Sequence, residues 1–163
     1  MHLKEHVNGY TVPSGDPILI WSGQKVEVVH DFYFSLTVLY QGQLVYFTYL
    51  NQDKLHLLPS LHLQGNSSTL LEQLRYVYDP ELSMVNIVDL GLVYEVDLRE
   101  DEARVVMTLT SHYCGMGPAL RENIVELLSL FNNVKKVSVD FTFTPKWNKD
   151  MISDSAQLKL GLL

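Results

Sequence analysis

Apolar and polar positions alternate through Val105, Met107 and Leu109 against Val106, Thr108 and Thr110, which predicts a strand with one apolar face. Leu120, Ile124, Leu127, Leu128 and Phe131 then follow helical spacing, with Arg121, Glu122, Glu126 and Ser129 off the stripe. Gly117 suits the N-cap of that helix and Pro118 its first position, where a missing N–H costs nothing. Leu92, Tyr94, Val96 and Leu98 predict a strand before the first, returning antiparallel through a turn at Arg99 to Glu102. Val137, Val139, Phe141 and Phe143, alternating with Ser138, Asp140 and Thr142, predict a third. A strand, helix, strand unit crosses over right-handed, so the third strand is expected parallel to the second.

Upstream, Leu70, Leu71, Leu74, Val77 and Tyr78 predict a helix over Thr69 to Tyr78, with Thr69-x-x-Glu72 as a capping box and Asp79-Pro80 as its end. Asp79 is in turn placed to cap a short helical turn opened by Pro80. Lys149 to Leu160 is expected to be a last helix, stopped by Gly161.

Residues 11 to 50 have a different texture. Ile18 to Trp21, Lys25 to Val29, Phe34 to Tyr40 and Gln43 to Tyr49 read as short strands separated by Ser22-Gly23 and Gln41-Gly42, after Pro13-Ser14-Gly15-Asp16-Pro17. Their aromatic residues, Trp21, Phe32, Tyr33, Phe34, Tyr40, Tyr46, Phe47 and Tyr49, could form a binding surface, but aromatics in strands are usually packing residues and are read so. Leu55 to Leu63 is apolar around His56 and His62, and Gln64 to Ser68 has boundary composition. The expected fold class is α+β: a β-rich unit over 1–64, then a unit over 65–163 with a three-stranded mixed sheet and helices on one side.

With 163 residues and 47% hydrophobic content the chain can bury a core, so a globular protein is expected. Its net charge of -7 opposes binding to a phosphate backbone or an anionic membrane surface, which argues against nucleic-acid and membrane partners. One cysteine makes no internal disulfide, and Met1 to Tyr10 has no apolar signal-type core, so a cytoplasmic location is expected.

That cysteine, Cys114, lies between the predicted strand and helix, followed by Gly115 and Gly117. Unpaired N–H groups at a helix start favour a thiolate there. His112 is two residues away and would be a second metal ligand or a proton acceptor if both side chains turned to one pocket; a surface histidine is the competing reading. His2 and His6 have i,i+4 spacing but sit at a terminus, where a flexible pair is expected.

Three stretches in order, D-P-E-L-S-M-V-N-I-V-D-L-G-L-V-Y from Asp79, T-L-T-S-H-Y-C-G-M-G-P from Thr108 and D-F-T-F-T-P-K-W from Asp140, resemble the metal-sulfur cluster biosynthesis family. The P-S-G-D-P segment ahead of C-G-M-G and the ending M-I-S-D-S-A-Q-L-K-L-G-L-L look most like its SufT-like branch, although Asp31-Phe32-Tyr33-Phe34 stands where a glycine-rich stretch is expected. The resemblance implies a non-enzymatic auxiliary factor in iron-sulfur protein maturation. It implies Cys114 as the functional thiol and Asp79, Glu81, Thr110, Gly115 and Gly117 as motif and pocket positions. Its cargo would be iron or an iron-sulfur cluster, held transiently by Cys114 with His112 as a further candidate ligand, and its partners the assembly machinery and client apo-proteins. A cluster commonly takes four thiolates, so it would need a second subunit in a homodimer, His112, carboxylates or an external thiol. Two other readings stand beside it: an enzyme with Cys114 as nucleophile and His112 as base, and an adaptor in which Cys114 is merely packed.

Overall fold

The computed structural model describes residues 1–32, 35–48, 64–82 and 84–162. The apolar stretch Leu55 to Leu63 and the aromatic residues Tyr33, Phe34 and Tyr49 lie outside them.

The amino-terminal strands are β1 (Val7–Val12), β2 (Pro17–Ile20), β3 (Glu27–Asp31), β4 (Ser35–Tyr40) and β5 (Gln43–Thr48). They form one five-stranded antiparallel sheet in the order β2-β1-β5-β4-β3. The β4–β5 hairpin turns on Gln41 and Gly42, both at positive φ (50° and 82°), a twist that matches the flanking strands. Period-two alternation splits β5 between two environments. Val45 and Phe47 join Ile20, Val38, Leu3 and Val26 in a small core, whereas Tyr46 faces the other way. Trp21, read as a packing residue, is exposed. The sequence pattern does not predict β1, because Asn8 and Gly9 dilute its apolar signal. Gly9 is there for a non-local reason: a Cβ on it would sit 2.8 Å from the Tyr46 carbonyl oxygen.

The carboxy-terminal sheet is β6 (Val93–Arg99), β7 (Glu102–Met107) and β8 (Lys136–Phe141), ordered β6-β7-β8. The first pair is antiparallel and the second parallel, as the helical crossover demands. Helix α1 spans Ser67–Gln73 and continues as a 3-10 turn over Leu74–Tyr76; helix α2 spans Gly117–Leu128. Leu70 and Leu74 from the first and Leu120, Ile124, Leu127 and Leu128 from the second bury against Ala103, Val105 and Met107 of β7. Full burial of each such large side chain is worth roughly 1.5–3 kcal/mol, so this layer is the main source of stability.

Two helix ends differ from expectation. Helix α1 starts earlier: Asn66 accepts from the Thr69 N–H at 3.0 Å while the Thr69 hydroxyl accepts from the Asn66 N–H at 2.8 Å, so Thr69 closes the capping box instead of opening it. The expected last helix is two pieces, a 3-10 turn over Lys149–Met151 and α3 over Asp154–Lys159, because Asn148 and Ser153 each cap a new start. No helix among the described residues is long and apolar enough to cross a membrane.

Candidate functional site

The site is made where β7 hands the chain to α2. After Met107 the backbone is irregular, with the Cys114 N–H donating to the Ser111 carbonyl at 3.2 Å. Met116 is the N-cap and Gly117 the first helical residue, one position earlier than the sequence suggested, with Pro118 still in the first turn. This turn points the half-buried Cys114 thiol at a second loop, where its Sγ donates to Glu81 Oε1 at 3.4 Å.

That second loop is built by Asp79. Its Oδ1 accepts from the N–H groups of Glu81 at 2.9 Å and Leu82 at 2.8 Å. The expected cap is therefore real, but it closes an irregular turn and not a helix. Asp79 is only 4% exposed, and burial pushes its carboxyl above the usual range; the two N–H bonds pull the other way and the neighbouring Glu81 charge adds to the rise.

The thiol does not behave as a helix start alone would suggest. Burial comes first among the causes that push Cys114 from 9.0 up to about 11. The Met116 N–H opposes the shift, but the Glu81 and Asp79 carboxylates reinforce it. The expectation of a thiolate is corrected: with only the chain's own groups around it, Cys114 is a protonated thiol at neutral pH.

The other sequence candidates fall around this pair. Gly115 has no room for a side chain, since a Cβ there would overlap the Ser14 carbonyl. Gly117 lets α2 start close to Leu109 and Phe141, whose atoms would lie 3.3 and 3.6 Å from an added Cβ. Thr110 is half-buried in the irregular segment. His112 is exposed, stacked on Phe143 at 3.7 Å between ring centroids. It belongs to a turn beyond the end of β7, so strand periodicity does not bring it to the face of Cys114. Among the described residues no group of three or more His, Cys, Asp and Glu is disposed to hold a metal ion.

Cys114 opens onto a depression of about 430 Å³ lined with Leu109, Pro118, Arg121, Phe141 and Phe143. The Arg121 guanidinium carbon lies 5.2 Å from the centre of the Phe141 ring. A larger hollow of about 940 Å³ lies on the open face of the three-stranded sheet, around Tyr94, Arg104 and Asp140. It holds no thiol, and Arg104 and Asp140 already pair with each other at 2.8 Å. Sequence reasoning placed Arg121 off the helix stripe and read Tyr46 as a packing residue, which its burial bears out, but assigned neither to this site and did not single out Tyr10 or Asn123. The two tyrosines join the five-stranded sheet to α2: Tyr10 donates to Glu122 Oε1 at 2.6 Å, and the Asn123 amide donates to the Tyr46 hydroxyl.

Fold and site together define a small α+β scaffold that holds one thiol beside a carboxylate at a strand-to-helix turn. Residues 67–141 match the family model described as iron-sulfur cluster assembly protein. A relative from Porphyromonas gingivalis, named Fe-S protein maturation auxiliary factor, is 44% identical over 95 residues, covering 58% of this chain and 90% of that protein. Fe-S protein maturation auxiliary factor YitW of Bacillus subtilis is 40% identical over 61% of this chain and 95% of its own length. The factor SufT of Staphylococcus aureus is 39% identical over 53% and 98%. Among solved structures, a domain of unknown function from Bacillus anthracis aligns with a TM-score of 0.56 at 35% identity, over 60% of this chain and 92% of that one. A conserved hypothetical protein from Thermotoga maritima aligns at 0.52 and 28%, over 60% and 96%. The chain belongs to the iron-sulfur cluster assembly family, in its SufT-like group. The five-stranded sheet lies outside the residues that the family model matches.

Proposed function

We propose that this protein is an auxiliary factor in the maturation of iron-sulfur proteins, and that Cys114 is the group it presents to iron, a cluster or a client's cluster site. The observation that carries the reading is the thiol itself: the one cysteine of the chain lies within the family match and faces the Glu81 carboxylate at 3.4 Å. Iron arriving there would meet a soft and a hard donor, displace the thiol proton and offset the burial and carboxylate charge that keep Cys114 protonated. Asp79 acts as the support, fixing the loop by accepting one hydrogen bond from the Glu81 N–H and one from the Leu82 N–H.

One subunit offers two donors in contact, fewer than a cluster takes, so the remaining ligands come from a client, a small thiol or a second copy of the chain. We favour a dimer with cluster bound; light scattering that shows a monomer with a stoichiometric cluster rules it out. The role is handover without turnover of a substrate, in a reducing cytoplasm where a lone thiol persists. Its partners are then the assembly machinery and client apo-proteins.

The test is Cys114→Ser in cells lacking the native protein. Serine keeps the volume but not the soft donor, so the variant should melt like the parent and fail to restore an aconitase-type cluster enzyme. Full restoration removes Cys114 from the mechanism.

A further inference from the structure

The five-stranded sheet is seated on both loops of the site. Its Ser14–Gly15 turn lies directly on the backbone of Gly115: Gly15 is at φ +74°, a Cβ on it would overlap the Gly115 carbonyl, and one on Gly115 would overlap the Ser14 carbonyl. At the second loop, Phe32 stacks on Tyr78, the residue before Asp79, at 4.2 Å and 5° between planes. Between these points Tyr46 is buried with Met116 and Ala119 of the α2 start, in a cluster that also takes in Tyr10, Val12 and Cys114. The Tyr10–Glu122 and Tyr46–Asn123 hydrogen bonds fasten the same surface along α2. A sheet outside the family match thus covers one side of the residues that the family match supplies.

We propose that this sheet is an intramolecular shield, which closes one side of the Cys114 site and, among the described residues, leaves the thiol to be approached along the trough of Arg121, Phe141 and Phe143. Access is then selected by size and shape. A small molecule or a narrow projecting segment of a client reaches the sulfur, and a broad protein surface does so only when the sheet lifts. The inference rests on the reading of Cys114 as the functional group for its purpose, but the shielding itself is a property of the fold and is measured separately.

The test compares two thiol reagents at one pH, iodoacetamide and a polyethylene-glycol-linked maleimide, so that the fraction of thiolate cancels in the ratio of their rates. In the native full chain the bulky reagent should be disfavoured by about tenfold or more relative to the same chain in urea, the discrimination that a local opening of ~1.4 kcal/mol imposes. Gly15→Ala forces a methyl into the Gly115 backbone and should bring the ratio back toward the urea value. Tyr10→Phe combined with Tyr46→Phe removes both fastenings while keeping the rings, and should do the same; it decides the matter if the alanine variant does not fold. A native chain that shows the urea ratio overturns the proposal, as does a folded variant that keeps the native one. Failure of Cys114→Ser to impair cluster enzymes would leave these rates untouched, so the two readings fall separately.

Discussion

Asp79→Asn should make the protein more stable and less useful. The side chain keeps its shape and one carbonyl oxygen, so the bonds from Glu81 and Leu82, 2.9 and 2.8 Å in the parent, can be retained. Charge-assisted hydrogen bonds are worth roughly 1.5–3 kcal/mol and neutral ones 0.5–1.5, so the exchange forfeits about 2 kcal/mol over the pair. Against this stands the cost of keeping an ionised carboxylate at 4% exposure, which is typically several kcal/mol. The carboxyl is shifted upward, with burial as the largest cause, so desolvation outweighs the bonds and the amide should gain about 1–2 kcal/mol at neutral pH. For a chain of this size that is a rise of roughly 2–8 °C in melting temperature. The pH dependence has a definite sign. A carboxyl whose folded value is raised contributes stability below its unfolded value of 3.8, and loses it as pH rises through the folded one. The difference between variant and parent therefore opens upward from about pH 3.8 and closes in acid. Thermal melts at pH 7 and near pH 4, with client activation measured alongside, check it. A variant that melts below the parent at pH 7, or a gap that ignores pH, refutes this balance of burial against hydrogen bonding.

Two further outcomes follow from the same geometry. Alkylation of Cys114 by iodoacetamide should rise with pH toward a midpoint of about 11, and Glu81→Gln should move that midpoint down; a parent midpoint at or below 9.0 contradicts the account of the thiol. The fragment from Ser67 onward, which carries the three-stranded sheet and the core around Leu120 and Ile124, should show a cooperative thermal transition by itself. It should melt below the full chain because Met116, Ala119 and Asn123 lose their cover, and a fragment without a transition rules out the division into units over 1–64 and 65–163.

Much of the carboxy-terminal unit was legible because its signals are local. Strand alternation around Val105 and Val139, the apolar stripe of α2 and the need for a crossover between them determine a mixed sheet without any knowledge of distant residues. Cys114, Asp79 and Glu81 were singled out by residue type and motif, and the structure brings Cys114 and Glu81 into contact. What was misread shows the limits of local chemistry. Asn66, Ser67, Ser68 and Thr69 can all cap a helix; Asn66 does so, in a capping box with Thr69 that leaves Leu70 and Leu74 buried in the core. The thiol's high pKa comes from burial and, after it, from carboxylates 33 and 35 positions upstream, none of which a helix start reveals. The contacts between the five-stranded sheet and α2, Tyr10 with Glu122 and Tyr46 with Asn123, join residues 112 and 77 positions apart and leave no periodic trace.

The central claim, that the Cys114 thiol is the working group, is tested most directly by client activation in vitro. An aconitase-type apo-enzyme is incubated anaerobically with a cluster source and limiting amounts of the native full chain, or of the same chain with Cys114 blocked beforehand by iodoacetamide, and the recovery of enzyme activity is followed. The native chain should speed recovery, and the blocked chain, shown by its melt to be folded, should leave it at the rate without added protein. Equal acceleration by the blocked chain would contradict the account.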